Sequence, residues 1–149
     1  MKKSVASGVS RTAEVFERPV FARARGLCLQ LPESTEKISW GHPNFRAGRK
    51  MFCAFEIVRG RPSIAFRLPP ADVEALLQRN GDHSSGKVQK AEAAAQRAGR
   101  FFATPYGRGS WVSMWVDGMV NWKLTATLVE SSYRTVATRR LIKLLDNSR

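Results

Sequence analysis

The stretch from Glu36 to Leu68 constrains this chain more than any other, because its apolar residues alternate with a period of two and glycine interrupts them at short intervals. Met51, Cys53, Phe55 and Ile57 alternate with Phe52, Ala54, Glu56 and Val58, as side chains on opposite faces of a strand must. Gly48-Arg49-Lys50 separates that run from Phe45–Ala47. Arg59-Gly60-Arg61-Pro62 separates it from a strand with Ile64, Phe66 and Leu68 on one face and Ser63, Ala65 and Arg67 on the other. Connections this short join antiparallel neighbours. With a further short strand at Lys37–Trp40, the spacing predicts successive hairpins, closed by Trp40, Phe45 and Trp111. A closing ring is costly to remove, so Trp40→Ala is expected to lose on the order of 3–5 kcal/mol.

Helical periodicity flanks the hairpins. Val20, Ala24, Leu27, Cys28 and Leu31 form one stripe and predict a helix from Arg18 to Leu31, stopped by Pro32. Pro69-Pro70 ends the third strand, and Pro70 opens a helix over about Ala71–Arg79 with Val73, Leu76 and Leu77 inward. Phe101–Thr104 and Trp111–Val116 read as the last strands, the second with bulk on both faces. A helical pair follows, with Leu124 and Leu128 on the first member and Tyr133, Val136, Leu141, Leu144 and Leu145 on the second. The order predicts an α+β two-layer sandwich: a mainly antiparallel sheet with helices packed on one face. Residues 1–17 read as a flexible leader. Residues 18–149 read as a single domain, with an Ala/Gln/Lys-rich peripheral insertion near 81–100.

A chain of 149 residues with 43% hydrophobic side chains can bury a core without disulfides or metal. Cys28 and Cys53 read as isolated core residues of a reduced, cytoplasmic protein. No run approaches the ~18 apolar residues of a membrane span, and no apolar segment follows Met1-Lys2-Lys3-Ser4, so no membrane partner is expected.

Catalytic chemistry finds little to use. Of the two histidines, His42 precedes Pro43 and His83 sits in the polar loop Asp82-His83-Ser84, whose adjacent residues do not make a triad. No phosphate loop, nucleophile elbow or paired-histidine metal helix is present, and the twelve acidic residues are scattered singly. The expectation is a non-enzymatic chain with no catalytic residue, no metal and no cofactor.

Charge is what remains. Twenty-five Lys and Arg against twelve Asp and Glu leave a net +13, spread along the chain. Such a field attracts polyanions. Residues 44–67 hold Arg46, Arg49, Lys50, Arg59, Arg61 and Arg67 against one acid, Glu56, and the later turn adds Arg108. Arginines at turns pair with phosphate, and Tyr106 or Trp111 beside them can stack on bases. The predicted nucleic-acid-binding set is Arg46, Arg49, Lys50, Arg59, Arg61, Tyr106, Arg108 and Trp111, on one positive face. It would contact DNA phosphates with little regard to sequence. Two alternatives use the same residues: a protein-interaction adaptor meeting its partner with Trp111 and Tyr106, and a small-anion enzyme clamping its substrate with Arg46, Lys50 and Arg108.

Trp40-Gly41-His42-Pro43-x-Phe45-Arg46-x-Gly48-x-Lys50-Met51-Phe52-Cys53 resembles the signature of the MmcQ/YjbR family. Thr104-Pro105-Tyr106, Gly109-x-Trp111-Val112-Ser113 and Glu130-Ser131-Ser132-Tyr133-Arg134-x-Val136-Ala137 are similar to its second half. The resemblance spans roughly residues 18–145. It implies a CyaY-like fold and a double-wing DNA-binding surface in which hairpins meet the duplex. The leader and the longer 87–100 stretch depart from the family pattern. The likeness of that fold to frataxin raises iron handling, which would need an acidic ridge of oxygen ligands. The first helix instead carries Arg18, Arg23 and Arg25, with Glu17 only at its start.

Overall fold

The computed structural model describes residues 18–81, 100–107 and 109–149; the predicted leader, most of the 81–100 insertion, His83 and Arg108 lie outside the described residues. Helix α1 (Pro19–Leu29) leads into four strands, β1 (Ser34–Ser39), β2 (His42–Ala47), β3 (Lys50–Val58) and β4 (Arg61–Arg67). Helix α2 (Pro70–Gly81), strands β5 (Phe101–Ala103) and β6 (Trp111–Trp115), and helices α3 (Trp122–Val136) and α4 (Arg139–Asn147) complete the order. The strands form one six-stranded sheet in the order β1-β2-β3-β4-β6-β5, and every neighbouring pair is antiparallel. The α+β two-layer expectation is therefore met, with the helices on one face.

Three two-residue turns drive the meander. Ser39 pairs with His42, so the β1–β2 turn is Trp40-Gly41; Val58 pairs with Arg61, so the β3–β4 turn is Arg59-Gly60. In both turns the two residues have positive φ: 55° and 82° for Trp40 and Gly41, 50° and 80° for Arg59 and Gly60. These are type I′ turns, whose twist matches that of the strands and which favour Asn or Gly at the first position. Tryptophan and arginine stand there instead. The β2–β3 turn, Gly48-Arg49, lies at the opposite end of the sheet.

One layer of the core is shared by the helices and the sheet. Phe45, Cys53, Phe55, Ile64, Phe66, Val112 and Met114 face Phe21, Ala24 and Cys28 of α1, Val73 of α2, Leu128, Val129 and Tyr133 of α3 and Leu141 of α4. Phe21 meets Phe55 edge-on with ring centroids 5.0 Å apart, and Phe52 meets Tyr133 edge-on at 5.5 Å. Tyr133 is fully buried and donates from its hydroxyl to the carbonyl of Pro32 at 2.8 Å.

Several sequence expectations are corrected here. Trp40 does not close the sheet: it is 95% exposed at a hairpin tip. The strict alternation expected for residues 51–58 breaks, because the β2–β3 register shifts and pairs Phe45 with Cys53 but Arg46 with Met51. This bulge leaves Phe52 as the extra residue, sharing the helix-side core with Cys53 and Phe55, and moves Met51 to the other face. Tyr133 and Val136 lie on α3, not on the last helix, because Thr138 restarts the helix as an N-cap accepting from the Leu141 amide. Cys28 and Cys53, distant in sequence, are neighbours in the core; burial and the adjoining thiol hold Cys28 well above its ordinary pKa.

Two opposite stability effects follow. Phe66→Ala should cost about 3–5 kcal/mol in denaturant unfolding. Trp40→Asn should raise stability by about 0.5–1 kcal/mol, roughly 1–4 °C in Tm, because asparagine tolerates the left-handed φ that tryptophan resists. A loss of more than 1 kcal/mol at Trp40 would show that the ring supports the fold.

Candidate nucleic-acid interface

The sheet face turned away from the helices sets the geometry of the candidate site. Its centre is made of small residues, Ala54, Ala65, Ser63 and Ser113, all fully buried. Trp111 packs on Ala54 and Ala65, with Met51 beside it. Trp115 stacks on Phe102 with centroids 4.1 Å apart. The β5–β6 connection folds back so that Tyr106 meets Trp111 edge-on at 5.7 Å and donates its hydroxyl to the Glu56 carboxylate on β3. Gly107, at φ +62°, lies against the Trp111 ring so closely that a Cβ would stand 2.0 Å from Cδ1. No other residue fits there. The bulk on both faces of β6 is thereby explained: Val112 and Met114 serve the helix-side core, while Trp111 and Trp115 cover the second face.

Glu56 anchors that cover. It is 6% exposed, accepts from Tyr106, and has His42 Nε2 at 3.7 Å. Burial, followed by the adjacent Glu56 charge, pushes the Tyr106 hydroxyl well above its ordinary range. A lone acid within an apolar strand and a basic stretch was the one sequence sign of this role.

Of the predicted binding residues, the structure brings some together and separates others. Arg49 and Lys50 are exposed at one end of the sheet, with Arg46 and Arg67 on the same half of the second face. Arg46 bonds to Asn44 Oδ1 at 3.2 Å and to the Arg49 carbonyl at 3.3 Å. Arg59 is exposed at the opposite end, about 26 Å away along β3. The eight residues therefore do not form a single cluster of tips. Arg61 is engaged: its guanidinium binds Asp117 at 2.7 and 3.2 Å and lies over the Trp115 ring, 3.9 Å from the centroid. This pairing raises the Arg61 pKa and holds the Asp117 carboxyl below its ordinary value. Trp111 is 6% exposed and is not a surface contact; Tyr106 is 38% exposed.

Four other acids among the described residues are used elsewhere. Glu36 pairs with Arg25, Glu33 with Arg140, Asp146 with Arg134, and Glu130 with both Arg134 and Arg149. No acidic side chain among the described residues pairs with Arg46, Arg49, Lys50, Arg59 or Arg67. Part of the chain's positive excess therefore surfaces on the hairpins, as well as at the exposed Arg23, Lys123, Arg139 and Lys143 of the helices. Among the described residues, no group of three His, Cys, Asp or Glu could hold a metal ion, and no helix is long and apolar enough to cross a membrane.

A one-sided α+β sheet with a self-covered second face and cationic hairpin ends defines the structural class. Residues 29–135 match the YjbR family, and the chain belongs to it. The crystal structure of Deinococcus radiodurans protein DR2400, which carries the domain DUF419, has the same fold, with a TM-score of 0.57 and 20% identity over 82% of this chain and 84% of that one. A crystal structure of a Pseudomonas syringae protein aligns at 12% identity over 70% of this chain and 87% of that one, with a TM-score of 0.49. No curated protein matches the chain.

Removing the Tyr106 hydroxyl tests the anchor. Tyr106→Phe should cost about 1.5–3 kcal/mol, the range for a hydrogen bond to a charged group. The pH dependence has a definite sign. Because the folded chain holds the tyrosine proton more tightly than the unfolded chain, the unfolded chain ionises first as pH rises above about 10. Wild type should therefore lose stability faster than Tyr106→Phe above that pH. Equal slopes for the two proteins would remove the tyrosine from this role.

Proposed function

We propose that this YjbR protein is a non-enzymatic nucleic-acid-binding protein, contacting DNA phosphates through its hairpins with little sequence preference. The observation that carries the reading is the run of cations on the hairpins, Arg46, Arg49, Lys50, Arg59 and Arg67, none of which pairs with an acid among the described residues. Exposed cations on short, rigid turns suit phosphate, and a net +13 adds long-range attraction. The double-wing description implied by the family resemblance fits hairpins at two ends of one sheet. Two free, buried thiols suit a reducing cytoplasm. Arg61 and Trp111 leave the contact set, since one is held by Asp117 and the other is covered.

A protein-adaptor reading has one observation in its favour, the exposure of Trp40 at 95% and Met119 at 81%. Salt separates the two. With four phosphate contacts the slope of log affinity against log salt should be near −3.6 on duplex DNA. The triple charge reversal R49E/K50E/R59E should abolish binding at moderate salt with an unchanged Tm, because none of the three pairs with an acid among the described residues. Salt-insensitive binding, or full affinity in the triple variant, would move the function to the adaptor.

A further inference from the structure

We propose that Trp40 is a base-stacking finger, and that the preferred ligand of this surface is nucleic acid with unpaired bases. The inference rests on the nucleic-acid reading above and specifies its ligand class.

Three features of Trp40 point the same way. First, the fold does not use the ring: it is 95% exposed, while Trp111 and Trp115 are each 6% exposed and cover the sheet. Second, the turn disfavours it. The first position of a type I′ turn calls for Asn or Gly, and the φ of +55° is one that a bulky side chain adopts at a cost. A large apolar side chain held against both solvent and backbone preference has no structural return at this position. Third, the turn is short and braced. Ser39 and His42 pair directly beneath it, and Pro43 pairs with Ile38 one step further down, so the ring projects from a fixed base.

The neighbouring tip supplies the charge. Arg59 occupies the equivalent position of the β3–β4 turn, with a φ of +50° and glycine after it. Turns 40–41 and 59–60 close alternate hairpins at the same end of the sheet, so their midlines stand about two strand spacings, roughly 10 Å, apart. An exposed ring and an exposed guanidinium at that separation can take a base face and a phosphate of one strand together. Stacking on an aromatic side chain is tolerant of base identity, since every base has a π-face, and it needs the base free of its own stack. A duplex offers phosphates to Arg59 but no free face to Trp40. An unpaired segment offers both.

The measurement compares wild type, Trp40→Ala and Trp40→Phe binding to oligo(dT) of 12 nucleotides and to a 12-base-pair duplex, by fluorescence anisotropy at fixed salt. Trp40→Ala should weaken oligo(dT) binding about 5- to 150-fold, the loss of one base stack of ~1–3 kcal/mol at 1.4 kcal/mol per tenfold. Duplex affinity and Tm should not change, and Trp40→Phe should recover most of the loss. Oligo(dT) should also quench tryptophan emission in wild type and not in Trp40→Ala. Wild-type oligo(dT) affinity in Trp40→Ala, or an equal loss on both ligands, overturns the base-stacking role while leaving phosphate binding standing. Failure of wild type to bind either ligand overturns the nucleic-acid reading and this inference with it. Loss of binding to phosphatidylglycerol vesicles in Trp40→Ala, with oligo(dT) binding intact, overturns it in favour of a lipid surface.

Discussion

A six-stranded sheet whose described helices all pack on one side closes its second face with its own side chains, and here one buried carboxylate holds that closure in place. Glu56 on β3 receives the Tyr106 hydroxyl from the far connection between β5 and β6. The tie crosses the intervening strand β4, so it draws the connection over the small residues Ala54, Ala65 and Ser63 and pins Trp111 beneath it. Small residues beneath and large rings above are two halves of one packing solution. Glycine at 107 is its steric condition.

The same arrangement decides where charge can surface. Once aromatic rings cover the centre of the second face, polar groups are left to its margins and to the turns. Arg61 shows how a cation is absorbed when an acid and a ring are both at hand, since Asp117 neutralises it and Trp115 lies under it. Arg49, Lys50 and Arg59 have no such partners among the described residues. Surface ion pairs contribute little to stability in any case. Their distribution therefore matters less for folding than for the field the protein presents, which is positive along the hairpins.

Much of this architecture was legible in the sequence. Alternation and glycine spacing located the first four strands, and Pro69-Pro70 marked the start of α2. Three things were not legible, each for a physical reason. The bulge at Phe52 inserts one residue without any composition signal and swaps the faces of Met51 and Phe52. Trp40 reads as core by its size; only the direct pairing of Ser39 with His42, which makes Trp40-Gly41 a two-residue turn, places it outside. Arg61 reads as a free turn cation because Asp117, fifty-six residues away, is brought to it by the β4–β6 pairing. Local periodicity finds strands; it does not report which neighbour a long side chain will meet across the sheet.

The central claim is that the hairpin ends are the contact surface and the helical side is not. Backbone amide chemical-shift mapping during titration with a short oligonucleotide tests it most directly, since it reads every turn at once without altering the protein. The account predicts shifts concentrated at Trp40, Gly41, Arg49, Lys50, Arg59 and Gly60, with α3 and α4 undisturbed. Shifts centred on α3 and α4, with those six amides unmoved, would contradict it.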